Sequence, residues 1–159
     1  MIASTKAGFE DSISVRRALV LIVDPQASTR HWMWRLLSRA FGVLEAQNAV
    51  AARRWIDERP DIDALIVEDD LPGSRGSELV KELARMEHPI ASRSIVIASE
   101  WRRVMLSGMN VVERGDMQTI LALLTGWFVP SDSVYKQRPA RRLASQAPSR
   151  VLNQAPPTS

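Results

Sequence analysis

Between Ala18 and Phe128, short unbroken apolar runs alternate with longer stretches whose apolar residues recur every three or four positions. Ala18-Leu-Val-Leu-Ile-Val23 is apolar throughout and stops at Asp24-Pro25, the pattern of a strand buried on both faces. Met33, Leu36, Leu37 and Ala40 then fall at i, i+3, i+4 and i+7, which predicts a helix ending at Phe41-Gly42. Gly42–Ala46 is a short second strand. Ala52, Trp55 and Ile56 mark one side of a second helix, which Arg59-Pro60 ends because the residue before proline disfavours helical geometry. Ala64–Val67 is a third buried strand, followed by Glu68-Asp69-Asp70 and a Leu71-Pro72-Gly73 loop. Leu79, Val80, Leu83 and Met86 form the next helical stripe, Ser94–Ala98 a fourth strand, and Trp101–Leu106 a weak helix. Asn110–Glu113 is the fifth strand, and Met117, Ile120, Leu121, Leu124 and Phe128 line the last helix.

Five alternations of strand and helix predict an α/β fold, a doubly wound five-stranded parallel sheet with flanking helices. Ligands of such sheets sit at the carboxyl ends of the strands. Here those ends carry Asp24, Glu68, Asp69, Asp70 and Ser99, with Arg114 just past the fifth strand.

Composition narrows the classes of function. The 159 residues contain no cysteine and only two histidines, His31 and His88, which excludes thiolate chemistry and a histidine-rich metal site. No run of 18 apolar residues is present, so no membrane contact is expected, and the cytoplasm is the expected location. The net charge of +3 is unevenly placed. Residues 129–159 carry Lys136, Arg138, Arg141, Arg142 and Arg150 against Asp132, a net of +4, which leaves about −1 elsewhere. Five of the nine prolines also lie there. The chain thus divides into a loose leader over residues 1–16, one domain over 17–128, and a proline-rich basic tail expected to be disordered over 129–159. Nucleic acid is not an expected partner, except through that tail.

The order of elements and the residues at the rim resemble the receiver domains of bacterial two-component response regulators. The local matches are Val23-Asp24, Gly42-Val-Leu-Glu-Ala46, the Pro-Gly-x-x-Gly loop Pro72–Gly76 after an acidic strand end, and Ile97-Ala98-Ser99. The resemblance implies phosphorylation of an aspartate four residues before the loop proline. It also implies Mg²⁺ on two acidic residues after the first strand, and a hydroxyl and a lysine on the phosphoryl oxygens. In this chain the acceptor position is Glu68, Pro25 replaces the second metal ligand beside Asp24, and Ser99 keeps the hydroxyl. Arg114 stands in the lysine position, and Gly115 replaces the proline that usually follows it.

The departures are mutually consistent. Mg²⁺ demands near-octahedral oxygen ligation, so Mg²⁺ binding is expected to be lost or weak and no other cofactor is implied. Asp24, Pro25 and Asp69 form a degenerate acidic pocket. Glu68 reaches roughly 1.5 Å farther than aspartate, about one bond, and could pair with the planar fork of Arg114 in imitation of a phosphoryl–lysine contact. Neutralising Glu68 should then leave Arg114 unpaired in a partly buried rim. The resemblance places a switch aromatic at Val111, which is not aromatic.

Together these features imply a pseudo-receiver, a non-enzymatic signalling module that binds a protein partner without phosphorylation. The partner would be a sensor kinase, another regulator or an output protein, and a homodimer is compatible. Trp101, Val111 and Trp127 are candidate interface residues. Ser99 has a second reading, as the cap of the helix after it. Two alternatives stay open: a working receiver phosphorylated on Asp69 or Asp70, and a nucleic-acid-associated regulator using the tail.

Overall fold

The computed structural model describes residues 16–128. The expected tail and nearly all of the expected leader lie outside them. No helix of the described residues is long and apolar enough to cross a membrane.

The chain divides into two compact units after Asp116. The first contains β1 (Leu19–Val23), α1 (Ala27–Leu37), β2 (Gly42–Ala46), α2 (Ala49–Glu58), β3 (Ala64–Glu68), β4 (Asp70–Leu71), β5 (Ser74–Arg75), α3 (Gly76–Arg85), β6 (Ser94–Ala98), α4 (Glu100–Arg103) and β7 (Asn110–Glu113), with a 3-10 turn over Pro89–Arg93. β1, β2, β3, β6 and β7 form one parallel sheet in the order β2-β1-β3-β6-β7. The three inner strands are almost wholly buried because both faces are covered, which is why they read as unbroken apolar runs. Leu21, Val23, Leu65, Val67, Val96 and Ala98 pack in one cluster with Ala52 and Ile56 of α2 and Leu79, Val80 and Leu83 of α3. Val20, Ile22, Ile66 and Ile95 alternate with them and point to the other face, as period-two strands require. The connection from β1 runs outward to β2 and then back across to β3. β1 and β3 are therefore neighbours whose following loops diverge, and the opening between those loops lies above the carboxyl end of β1.

Several positions depart from the apolar pattern. α1 ends at Leu37, leaving Ala40 in a turn, and Leu36 is exposed beside buried Met33 and Leu37. Met86 follows the end of α3 and is exposed. The expected Leu71-Pro72-Gly73 loop is a two-stranded antiparallel hairpin, with Asp70 paired to Arg75 and Leu71 to Ser74. α4 is shorter than expected, and Val104 and Met105 beyond it are exposed. Trp55 is half-buried, its indole Nε1–H donating to the Glu45 carbonyl at 3.0 Å.

The second unit holds α5 (Met117–Phe128). Met117, Ile120 and Leu124 are its buried residues, whereas Leu121, expected on the same stripe, is exposed. Trp127 is half-buried and meets the Phe128 ring edge-on, centroids 6.3 Å apart.

Candidate functional site

Each strand of the sheet delivers its last residues to one rim. Glu68 is the final residue of β3 and is buried, and Arg114 follows β7 directly. The Arg114 guanidinium grips the Glu68 carboxylate with two bonds, Nη2 to Oε1 at 2.7 Å and Nε to Oε2 at 3.2 Å. The Asp70 amide adds a third donor to Oε1 at 3.2 Å. The two partners are unequal: the Glu68 side chain is 6% exposed and that of Arg114 62%. Within the partly buried rim expected from sequence, the carboxylate is the buried partner and the arginine is mostly exposed. Arg114 caps the carboxylate from the solvent side.

Gly115 carries φ 92°, in the left-handed region. Proline, fixed near φ −65°, cannot take that conformation. The backbone that presents Arg114 thus turns in a way the usual Lys-Pro pair of receivers does not permit.

Asp24 ends the apolar run of β1 and is 4% exposed. One of its carboxylate oxygens accepts the Gln26 N–H at 2.8 Å, and its carbonyl accepts Arg30 Nη1 at 2.7 Å. Burial pushes its carboxyl above the ordinary value, the Gln26 N–H opposes this, and the nearby Glu68 charge adds to it. The unfolded chain ionises first, so stability falls as pH rises through the interval between the unfolded and folded values. Asp24→Asn keeps the Gln26 acceptor and removes that cost. Its melting temperature at pH 7 is expected to exceed that of the native chain; a clear drop would refute the burial account.

Asp24, Pro25, Thr29, Glu68, Asp70 and Arg114 line one cavity. Asp69, grouped with Asp24 by sequence, instead lines a neighbouring cleft with Ser99, Trp101, Arg102 and Arg75. Glu68, Asp70 and Arg114 border both spaces, and Asp69 borders only the second because side chains alternate in direction at the end of β3. The buried Asp69 carboxylate accepts the Ser77 N–H at 3.0 Å and Arg102 Nε at 3.1 Å, with Arg75 at 3.5 Å. Burial alone would raise its carboxyl; hydrogen bonds from Ser77 and the Arg102 charge outweigh burial and hold it below the ordinary range. Arg102 was not singled out from sequence. Its pattern was a charged residue on a weak helix, with nothing local to show that Asp69 lies against it.

The remaining candidates fall in different surroundings. Ser99 occupies the N-cap position of α4, but its hydroxyl makes no capping bond; its carbonyl accepts the amides of Arg102 and Arg103. Trp101 is 65% exposed, and the Arg102 guanidinium carbon lies 5.7 Å from its ring centroid. Val111 is half-buried against the apolar cluster, so it is a packing residue more than an anchor. Trp127 belongs to α5.

Comparison with known proteins places the fold. A response regulator receiver protein from Pseudomonas putida is 24% identical, with a TM-score of 0.60 over 69% of this chain and 97% of that one. A CheY-like receiver domain from Methylobacillus flagellatus is 19% identical, with a TM-score of 0.59 over 69% of this chain and 98% of that one. The chain has the receiver fold. In sequence it is 33% identical over 96 residues to the sensory transduction protein LytT of Bacillus subtilis. That match covers 58% of this chain and 38% of LytT, so the chain spans well under half of that relative. No family model matches the chain.

Proposed function

We propose that this chain is a signalling module of receiver fold that acts by protein–protein contact and takes no phosphoryl group. The observation that carries this reading is the two-pronged Arg114–Glu68 bond. At the position where a receiver's phosphorylated aspartate would meet a lysine, a carboxylate already meets a cation within the chain. The contact that phosphorylation would create is thus built in, and no trigger is required.

The donor set supports the same reading. Mg²⁺ is held by carboxylates, water and phosphate oxygens in a near-octahedral shell. Both Glu68 oxygens are engaged by Arg114, the Asp70 amide shares one of them, and Pro25 has no side-chain ligand. Asp24 and the exposed Asp70 are the carboxylates left on the cavity wall, no three such groups of the described residues converge on a metal site, and the residues do not fit the ion. Asp69 is a poor acceptor, since its two oxygens are committed to Ser77 and Arg102. The module is non-enzymatic and cytoplasmic. Its partner is a sensor kinase, another regulator or an output protein, for which exposed Trp101 supplies an aromatic anchor.

Incubation of the full chain with acetyl phosphate and Mg²⁺, read by intact mass, tests this. The expected result is an unchanged mass. Stoichiometric gain of a phosphoryl group, mapped to Asp69 or Asp70, would overturn the proposal in favour of a working receiver.

A further inference from the structure

Asp24 is the buried carboxylate that the proposed function does not use. Its polar contacts among the described residues are few. The Gln26 N–H reaches one oxygen, and no donor of the described residues reaches the other. That second oxygen is not sealed in the interior, because the one fully buried side-chain polar atom without a partner among the described residues is Ser74 Oγ. It therefore opens on the cavity that Asp24 lines, a space of about 210 Å³. Arg114, the cation on the wall, gives two of its three nitrogens to Glu68 and acts on Asp24 through charge alone. The walls carry Asp24, Glu68 and Asp70 against that single guanidinium. An anion would meet three carboxylates, and a nucleotide or flavin is too large.

From this geometry we infer that the cavity between Asp24 and Thr29 binds a primary ammonium group on a short alkyl stem, with Asp24 as its counter-ion. An ammonium has three donors and no acceptor. The cavity offers matching acceptors: the open Asp24 oxygen, the Thr29 hydroxyl, whose own proton goes to Gln26 Oε1 at 3.2 Å, and the exposed Asp70 carboxylate. The Pro25 ring supplies an apolar wall for the methylenes. Burial that raises the Asp24 carboxyl is the same condition that strengthens its attraction for a cation. Such a group could belong to a free amine or to a lysine side chain of a partner protein. The inference shares with the proposed function the fixed Glu68–Arg114 pair, which holds Arg114 in a fork on Glu68 and leaves it no hydrogen bond to Asp24.

Titration of the full-length chain with n-butylammonium chloride, followed by amide nitrogen–proton spectra, tests the site. The expected result is saturable shifts at Gln26, Thr29 and Asp70, with no comparable shifts from tetramethylammonium at equal ionic strength. Asp24→Asn should weaken binding about tenfold or more, the loss of one charge-assisted contact. Thr29→Val, which leaves the buried carboxylate in place, should weaken it by a smaller factor. A capped Gly-Lys-Gly peptide distinguishes the sources: matching shifts favour a partner's lysine, and their absence beside butylammonium binding favours a free amine. Unsaturable shifts, equal response to tetramethylammonium, or undiminished binding by Asp24→Asn would each overturn the inference. Acetyl phosphate labelling, which tests the proposed function, does not depend on any of these results.

Discussion

Gly76→Ala is expected to destabilise the domain by about 3 kcal/mol, at the upper end of ordinary overpacking costs. Gly76 is buried at the start of α3, and its N–H donates to the Asp69 carbonyl at 3.0 Å. A Cβ there would run into the Glu68 carbonyl oxygen and lie 2.7 Å from Val67 Cγ2 and 2.9 Å from the Glu68 carbonyl carbon. Two of those three atoms are backbone of a central strand, so the clash cannot be relieved by turning a side chain. The opposing effect is helix propensity, which favours alanine by about 1 kcal/mol. It is too small to reverse the sign. Urea denaturation should show a lower midpoint at unchanged slope, and melting should fall by roughly 10 °C or more. A variant as stable as the native chain would mean that β3 and the start of α3 are not in such close approach, and that the Glu68 position is set otherwise.

Arg114→Met should cost about 2 kcal/mol, and Glu68→Gln less than about 1 kcal/mol. The asymmetry follows from burial. Removing the arginine leaves a 6%-exposed carboxylate with the Asp70 amide as its remaining donor, whereas removing the carboxylate leaves a 62%-exposed guanidinium that water can solvate. The figure for Arg114 is set below the cost of breaking a fully buried pair, because half of this pair stands in solvent. From sequence, the loss of Glu68 was expected to be costly because it strands Arg114; the exposure of Arg114 makes that cost small. A double-mutant cycle checks the coupling: in the Glu68→Gln background, Arg114→Met should lose most of its effect. Equal cost in both backgrounds would mean that the pair contributes nothing, and the built-in contact would lose its support.

The sheet was legible in the linear chain because its cause is local. An inner strand covered on both faces is apolar nearly throughout, and turn residues bound each run, so Leu19–Val23, Ala64–Glu68 and Ser94–Ala98 could be read to within a residue or two, as could the edge strand Gly42–Ala46. Helix ends were less legible. Leu36, Met86 and Leu121 fit the apolar period yet are exposed, since period alone does not say how wide a face the neighbouring layer covers. The Glu68–Arg114 pairing was suggested by resemblance and its fork by the planar guanidinium, but the unequal exposure of the two partners was not legible. The fork is closed by two residues 46 positions apart, brought together only because β3 and β7 flank β6.

What the sequence determined by itself was therefore the alternation of strands and helices and the identity of the residues at the rim. Tertiary structure decided how those residues are shared out. Asp69 turns into the cleft with Arg102 and away from Asp24, while Glu68, Asp70 and Arg114 stand on the wall between that cleft and the cavity of Asp24. Adjacent carboxylates in a chain have no side until a strand gives them one, and their partners come from elements that sequence distance keeps unrelated.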